Sequence, residues 1–142
     1  MDTKFSSAIH SLIMISEAEM PVNSEQIANS VGTNASYIRK LTTRLSKAGI
    51  IEGRKGISGF RLLKPAKDIS LLDIYKIIME VEQVHVFDIH QNPNDECIVG
   101  RNIKPTLEGM FSRMEKEMEA ELAGMSLEDC INAMKKEMKE KK

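Results

Sequence analysis

Cysteine is scarce in this sequence, with two residues, Cys97 and Cys130, in a chain of 142. Two cysteines are too few for a disulfide framework or for a four-cysteine metal site, so we expect reduced thiols. Long apolar runs are absent, and residues 1–5 lack the basic, apolar and small-residue zones of a secretory signal. These absences predict a cytoplasmic protein with no membrane partner.

Tryptophan is absent and aromatic residues make up 4% of the chain, whereas methionine occurs ten times. Flexible thioethers are therefore expected to fill much of the core and of any subunit interface. The length allows one modest core, or a core and a docking element. Because no nucleophile–base pair, phosphate-binding glycine loop or carboxylate dyad is recognisable, we predict that the protein is not an enzyme.

Basic residues are concentrated in one stretch, although the formal net charge of the whole chain is −1. Residues 33–67 contain nine Lys or Arg and one Glu, a local net charge of +8. Residues 1–67 carry +5 (ten bases, five acids) and residues 68–142 carry −6 (ten bases, sixteen acids). This asymmetry predicts that the first segment faces a polyanion and that the second folds, pairs or senses.

The first two predicted helices are short and separated by a link that contains Pro21. Apolar residues at three- and four-residue spacing indicate an amphipathic helix over 4–17. Asn23 and Gln26 have the pattern of a capping box, which predicts a second helix over 24–31. Gly32 supplies the left-handed turn that ends it.

A third helix and a basic hairpin follow this turn. Asn34 is expected to cap a helix over 35–48. Ile50 and Ile51 begin a strand, residues 52–59 have the composition of a hairpin tip, and residues 60–63 alternate as the returning strand. The apolar face of the third helix consists of Ile38, Leu41, Leu45 and Ala48. The predicted fold is mainly α with a small β-wing: a winged helix-turn-helix domain, plus a long dimerisation helix and a C-terminal helix.

The second segment begins with a helix over 71–82 that Ser70 caps and that buries Ile74, Ile77, Ile78 and Val81. Residues 84–101 have no sustained period and are predicted to form a loop. Pro105 suits the first turn of a long helix that ends near Leu122. That helix has a continuous apolar stripe of Leu107, Met110, Phe111, Met114, Met118 and Leu122. Its length and heptad-like spacing favour a partner helix from a second chain over coverage within one chain.

A last helix is predicted after Gly124, with Ser126 and Asp129 as its cap. Its apolar face consists of Leu127, Cys130, Ile131, Met134 and Met138. Residues 139–142 are expected to fray. We therefore divide the chain into a winged helix-turn-helix DNA-binding domain over 1–67 and a segment over 68–142 with a linker helix, a sensor loop and dimerisation helices.

Several short motifs resemble the Rrf-type family of bacterial winged-helix transcriptional regulators. These motifs are Gln26-Ile27-Ala28, Ser36-Tyr37-Ile38, Leu45-Ser46-Lys47-Ala48-Gly49, Gly59-Phe60-Arg61-Leu62 and Ile69-Ser70-Leu71-Leu72-Asp73-Ile74. The stretch from Asn92 to Ile103 is most similar to the small YwnA-like branch of that family. The resemblance covers nearly the full chain and implies a homodimeric regulator of transcription. It also implies that the long helix lies at the dimer interface and that the third helix binds the major groove of double-stranded DNA.

The resemblance also bears on cofactors. Family members that hold an iron–sulfur cluster use three closely spaced cysteines in the loop before the dimer helix, whereas this loop contains Cys97 alone. Three thiolate ligands cannot come from one cysteine, so we expect no cluster and no other cofactor. His85 and His90 lie near Cys97, but their spacing matches no strong metal motif, and we predict no metal site.

DNA binding requires a helix whose first residues reach base edges while nearby cations neutralise phosphates. Arg39 or Lys40 can donate to guanine O6 and N7, where relatives commonly carry Glu-Gln, which implies a different base preference. Arg54 and Lys55 at the hairpin tip suit a narrow minor groove. The predicted DNA-binding residues are Ser36, Tyr37, Arg39, Lys40, Thr43, Arg44, Arg54, Lys55 and Arg61. Two alternatives stay open: a solvated basic face without a ligand, and a Tyr37 ring that packs in the domain with only its hydroxyl facing DNA.

Cys97 is a candidate redox-sensing thiol or a buried structural one. Asp95 and Glu96 disfavour its thiolate, whereas Arg101 and a nearby helix start favour it. The leading hypothesis is a homodimeric repressor that binds a pseudo-palindromic operator and responds to thiol oxidation at Cys97. The alternative is an adaptor that docks a metabolic enzyme, as the resemblance allows. The sequence identifies no small-molecule effector.

Overall fold

The computed structural model describes residues 2–53 and 58–140, which form six helices and one two-stranded sheet. The helices are α1 (Lys4–Glu17), α2 (Ser24–Val31), α3 (Ala35–Lys47), α4 (Leu71–Met79), α5 (Ile98–Ala123) and α6 (Leu127–Glu140). The strands are β1 (Ile51–Gly53) and β2 (Phe60–Leu62), and a 3₁₀ turn at Ala66–Asp68 leads from the sheet to α4. The predicted arrangement, mainly α with a small β-wing, is confirmed.

Side-chain caps determine where α2 and α3 begin. The Asn23 side chain accepts a hydrogen bond from the Gln26 backbone at 2.9 Å, and the Gln26 side chain accepts one from the Asn23 backbone at 2.9 Å. These bonds form the predicted capping box, and Gly32 ends α2 with a φ of 88°. The Asn34 side chain caps α3 by accepting from Tyr37 N–H at 2.8 Å. The helix predicted over 35–48 ends one residue earlier, at Lys47, and Ala48, which was placed on its apolar face, is exposed.

The wing is an antiparallel pair attached to the link before α2. Its residue pairs are Ile51 with Leu62, Glu52 with Arg61 and Gly53 with Phe60. The Phe60 N–H also donates to the Val22 carbonyl at 2.9 Å, which fastens β2 to that link. A Cβ atom at Gly59 would lie 2.6 Å from Pro21 Cβ, and the φ of Gly59 is 150°. Glycine at this position therefore permits close packing within the chain.

One hydrophobic core unites both ends of the chain. The buried residues in this core are Ala8, Leu12, Ile15, Ile27, Ala28, Ile38, Leu41, Leu45, Ile50, Ile51, Ile69, Leu71, Ile74, Ile78, Leu127 and Ile131. Leu127 and Ile131 belong to α6 and pack in the same cluster as Ala8 and Leu12 of α1. The segments before and after residue 67 thus share one core, because the apolar face of each segment is buried against the other.

The beginnings of α4 and α6 lie side by side. Leu71 N–H donates to the Met125 carbonyl at 2.8 Å, and Leu127 N–H donates to the Ile69 carbonyl at 2.8 Å. Ser126 and Asp129 form the predicted cap of α6, with bonds of 3.1 and 2.9 Å. The loop and α5 therefore leave the helical body after α4 and return to it at α6.

Two other predicted helix boundaries were wrong. α4 ends at Met79, because Glu80 adopts a left-handed conformation (φ 56°, ψ 46°), and Val81 consequently follows the helix as a half-buried residue. α5 begins at Ile98, so Pro105 lies inside the helix instead of in its first turn. The side chain of Asn102 donates to the Ile98 carbonyl at 2.7 Å, one turn earlier. The loop predicted over 84–101 accordingly ends at Cys97.

Candidate nucleic-acid interface

α3 has one buried face and one exposed face. Ile38, Leu41 and Leu45 are at most 1% exposed and pack in the core. The opposite face presents exposed side chains of Ser36, Arg39, Lys40, Thr43 and Lys47. Because the helical period separates the two sets, burial of the apolar residues leaves the polar and cationic residues toward solvent.

The exposed face of α3 borders a depression of about 440 Å³. Its lining residues are Ser36, Arg39, Lys40, Thr43, Arg44, Lys47 and Glu80. Among these described residues, four side chains are cationic and Glu80 alone is acidic. Such a concentration of cations beside hydroxyl groups is suited to phosphate oxygens and base edges. Five of the residues predicted to contact DNA are thus brought together in one surface.

Arg44 differs from the other cations because its guanidinium is bonded within the chain. Its Nη1 donates to the Ile78 carbonyl at 2.6 Å, and its Nε pairs with Glu80 Oε1 at 2.6 Å. Both partners belong to the C-terminal end of α4, so Arg44 joins α3 to α4.

The wing supplies a second group of predicted residues. Arg61 on β2 is exposed, and its Nε pairs with Glu52 Oε1 on β1 at 2.5 Å. This pair follows directly from the register of the hairpin, which places the two residues opposite each other. Arg54 and Lys55, predicted for the minor groove, lie outside the described residues.

Tyr37 is placed differently from the cations. Its side chain is half-buried and packs against the hydrophobic core. It also lines a depression of about 480 Å³ near the start of α1, together with Lys4 and Thr33. Of the two arrangements left open by the sequence, this position favours the packed ring.

α5 carries an uncovered apolar row. Met110, Met114 and Met118 are 54%, 42% and 38% exposed, and no described residue of α5 is fully buried. Phe111, beside this row, packs on Phe87 of the preceding loop with ring centroids 5.1 Å apart. The predicted stripe exists, and the part of the chain that the structure describes leaves much of it toward solvent.

The fold and this surface can be compared with known proteins. A family model named Rrf2, described as an iron-dependent transcriptional regulator, matches residues 1–133. The chain belongs to the Rrf2 family. The predicted family resemblance is thereby confirmed.

Individual Rrf2 relatives cover nearly the whole chain. YwnA of Bacillus subtilis (strain 168), assigned to the HTH-type transcriptional regulators, is 39% identical over 132 residues, or 93% of this chain and 97% of YwnA. A crystal structure of a protein assigned as DNA-binding is 37% identical with a TM-score of 0.74, covering 90% of this chain and 98% of that one. Oxidised CymR of Staphylococcus aureus has a TM-score of 0.70 over 92% of this chain and 94% of its own. At 21% identity, that last likeness shows the fold alone.

Membership in Rrf2 decides the broad function. The protein is a DNA-binding transcriptional regulator and not an enzyme, as predicted. Among the described residues, no helix combines the length and apolarity needed to cross a bilayer.

The iron in the description of the Rrf2 family raises the question of a metal or cluster. Cys97 is exposed in the loop before α5, whereas Cys130 is half-buried on α6. Within residues 2–53 and 58–140, no three His, Cys, Asp or Glu side chains are grouped so that they could hold a metal ion. This donor set does not fit an iron ion or an iron–sulfur cluster.

Cys97 occupies the N-cap position of α5 in this Rrf2 chain. Its side chain makes no capping hydrogen bond, but the N–H groups of Gly100 and Val99 face it and lower the pKa of the thiol from its usual value. Burial instead raises the pKa of the Cys130 thiol, with a smaller contribution from Asp129. In this chain Cys97 is thus exposed with a lowered pKa, whereas Cys130 is half-buried with a raised one.

The loop before α5 also contains His85. Its Nε2 lies 2.8 Å from Asp88 Oδ1, and its Nδ1 lies 3.6 Å from Glu115 Oε2 on α5. Asp88 and then Glu115 raise the pKa of His85. Glu115 in turn accepts backbone hydrogen bonds from Val86 at 2.5 Å and Phe87 at 3.2 Å. His85 thus lies near two carboxylates, one in the loop itself and one on α5.

Sequence reasoning missed two residues of the depression, Lys47 and Glu80. Lys47 could have been found, because it lies one turn after Thr43 on the same helical face. Glu80 had no signal, since it follows a different helix 36 positions after Arg44 in sequence. Its location depends on how α4 packs against α3.

Proposed function

We propose that this Rrf2 protein is a homodimeric repressor whose α3 binds the major groove of a pseudo-palindromic operator. The observation that carries the proposal is the solvent-facing side of α3, where Arg39, Lys40, Lys47 and two hydroxyl residues border one depression. A helix of this kind can place its first residues on base edges while the flanking cations meet phosphates. We assign Arg39 to base recognition. Lys64, an exposed cation two residues after the end of β2, is assigned to phosphate contact.

The dimer is proposed from the exposed methionine row of α5. Met110, Met114 and Met118 follow one another at four-residue spacing on a helix of 26 residues. Pairing of this row with its copy in a second chain would remove it from water, which is favourable for apolar surface. Two recognition helices would then face half-sites about one turn of DNA apart, ~34 Å or a multiple.

The proposed signal is oxidation of Cys97 by a peroxide. The thiolate sulfur attacks one oxygen of hydrogen peroxide, the O–O bond breaks, and hydroxide leaves as the sulfur becomes a sulfenic acid. The lowered pKa and the exposure of Cys97 favour this reaction. An oxygen on the sulfur would change the contacts at the start of α5 and hence the spacing of the two α3 helices.

The test is binding of the purified protein to fragments of the source genome over a series of salt concentrations. We expect selected fragments to bind, with affinity falling by on the order of a thousandfold between 50 and 200 mM salt. Affinity that does not change with salt would contradict the proposal. In that case the adaptor hypothesis becomes the better one, and gel filtration with candidate enzymes examines it.

A further inference from the structure

Arg44 lies among the cations of α3, but its guanidinium is hydrogen-bonded to the C-terminal end of α4. The Ile78 carbonyl belongs to the last turn of α4, where carbonyl groups lack partners within the helix. Arg44 Nη1 donates to this carbonyl at 2.6 Å. A cation at this end is also favoured by the helix dipole. The guanidinium is therefore held by α4 before any DNA arrives.

Glu80 adds a second contact and an unusual backbone. It is the single non-glycine residue with positive φ in the described part of the chain. Glycine is the usual residue at such a helix end, because a Cβ disfavours the left-handed conformation. At this position the carboxylate of Glu80, which a glycine would lack, pairs with Arg44 Nε at 2.6 Å. The left-handed backbone of Glu80 thus coincides with a specific side-chain contact to α3.

The pair also changes the charge of the surface. Glu80 lines the depression beside Lys40 and Lys47, where a bare carboxylate would repel phosphates. Paired with Arg44, it adds no net charge. The cations available to DNA in this depression are then Arg39, Lys40 and Lys47.

We propose that Arg44 is a positioning residue and that Glu80 withholds it from the phosphates. Together with the Ile78 carbonyl, Glu80 fixes the angle between α3 and α4, and α4 leads on to the loop and α5. This inference rests on the proposed function of α3 as the DNA-binding helix. It differs from the direct DNA contact that the sequence predicts for Arg44.

The experiment measures the slope of the logarithm of affinity against the logarithm of salt concentration. The probe is a fluorescein-labelled duplex of mixed sequence, roughly 30 base pairs long so that it spans the separation of two half-sites. Binding is measured by fluorescence anisotropy. Each phosphate contact contributes about 0.9 to this slope. Four chains are compared: wild type, Lys47→Gln, Glu80→Gln and the double variant Arg44→Gln/Glu80→Gln.

We expect Lys47→Gln to make the slope shallower by about 0.9. The double variant keeps the wild-type slope, while its affinity falls about threefold to tenfold at every salt concentration, because α3 is held less firmly. Glu80→Gln removes one of the two contacts that hold Arg44 and steepens the slope, by at most about 0.9. A purely structural role of the pair would not produce that steepening.

Two outcomes would overturn the inference: a double variant whose slope is shallower by the same amount as in Lys47→Gln, or a Glu80→Gln slope equal to that of wild type. Failure of the proposed function looks different. In that case wild type lacks a salt dependence, or Lys47→Gln leaves it unchanged. Thermal unfolding by circular dichroism, measured for all four chains, verifies that each is folded at the assay temperature.

Discussion

Glu119 on α5 and Val84 in the preceding loop are joined by a hydrogen bond of 2.7 Å from the Val84 N–H to the Glu119 carboxylate. One turn earlier on α5, Glu115 accepts from the N–H groups of Val86 and Phe87. Backbone donors in a loop need partners wherever water is restricted. Two carboxylates of α5 thus hold the loop between α4 and α5 in place.

The attachment of this loop should depend on pH in two directions. The Val86 N–H, followed by that of Phe87 and by His85, lowers the pKa of Glu115. The stabilisation that ionised Glu115 gives the loop is therefore present above about pH 4.3 and is lost as pH falls through the folded pKa. Asp88 and Glu115 raise the pKa of His85. The stabilisation that protonated His85 gives the loop is therefore present below about pH 6.5 and is lost as pH rises through the folded pKa. The loop should therefore be attached to α5 most firmly between about pH 4.3 and about pH 6.5.

The measurement is nuclear magnetic resonance of the Val86 and Phe87 amides, with chemical shift and heteronuclear NOE followed against pH. Glu115→Gln should abolish the change at acid pH, and His85→Ala should abolish the change near neutral pH. Glu117→Gln, an exposed carboxylate on the same helix, is the control. A profile in Glu115→Gln identical to that of wild type would contradict the assignment.

Arg39→Ala should weaken binding to the preferred operator by about 1–3 kcal/mol and relax the base preference at one position. Lys64→Ala should weaken all sequences alike and make the salt slope shallower by about 0.9. The reason is that a fork of N–H donors reads a base edge, whereas a phosphate contact carries no sequence information. The measurement is anisotropy against the operator and against single-base variants of it, and equal effects of the two substitutions would reject this division.

Met114→Glu should convert the dimer to a monomer, raising the dimer dissociation constant by on the order of a hundredfold, because it buries an unpaired carboxylate. Ala120→Glu places the same group on an exposed residue of α5 away from the methionine row and serves as the control. Analytical ultracentrifugation measures both. A dimer that persists in Met114→Glu at micromolar concentration would show that α5 pairs differently or not at all.

Hydrogen peroxide should lower operator affinity in the natural chain by about tenfold, which is within the usual range of coupling between two sites. Cys97→Ser should be insensitive, because the thiol with the lowered pKa is gone. Cys130→Ser should respond like the natural chain, since burial raises the pKa of Cys130 and makes it the poorer nucleophile. Loss of binding in both the natural chain and Cys97→Ser, or in neither, removes the thiol switch and leaves DNA binding intact.

Leu127→Ala should lower the free energy of unfolding by about 2–5 kcal/mol, because Leu127 is fully buried in the shared core. Met138→Ala on the same helix removes a side chain that is 59% exposed and should change stability by less than about 0.5 kcal/mol. Urea denaturation measures both values. A small effect of Leu127→Ala would mean that α6 contributes little to folding of the winged helix.

The parts of the fold that the sequence predicted well are those determined by neighbouring residues. α1 and α2 have their predicted bounds, and the caps at Asn23 and Asn34 form as expected, since each needs a side chain and a backbone N–H three residues apart. The end of α4 was missed, because Glu80 is a poor local stop and its conformation accompanies a contact with the distant Arg44. The start of α5 was missed because Pro105, a common first-turn residue, lies inside the helix.

The candidate interface shows the same division. Helical spacing was enough to place Arg39, Lys40 and Thr43 on one face of α3, since a regular helix determines direction. The separate role of Arg44 was hidden, because its partners Ile78 and Glu80 lie more than 30 residues away in sequence. The packing of α4 on α3 cannot be predicted from the periodicity of the residues between these helices.

The neighbouring starts of α4 and α6 make the loop and α5 an insertion within the winged-helix body, and not an extension appended to its end. Both borders of the insertion are anchored in the same apolar interior. A loop and a helix inserted in this way can therefore change in length or chemistry without moving either terminus of the body. A chain shortened before α6, by contrast, would lose Leu127 and Ile131 from the core on which α3 packs.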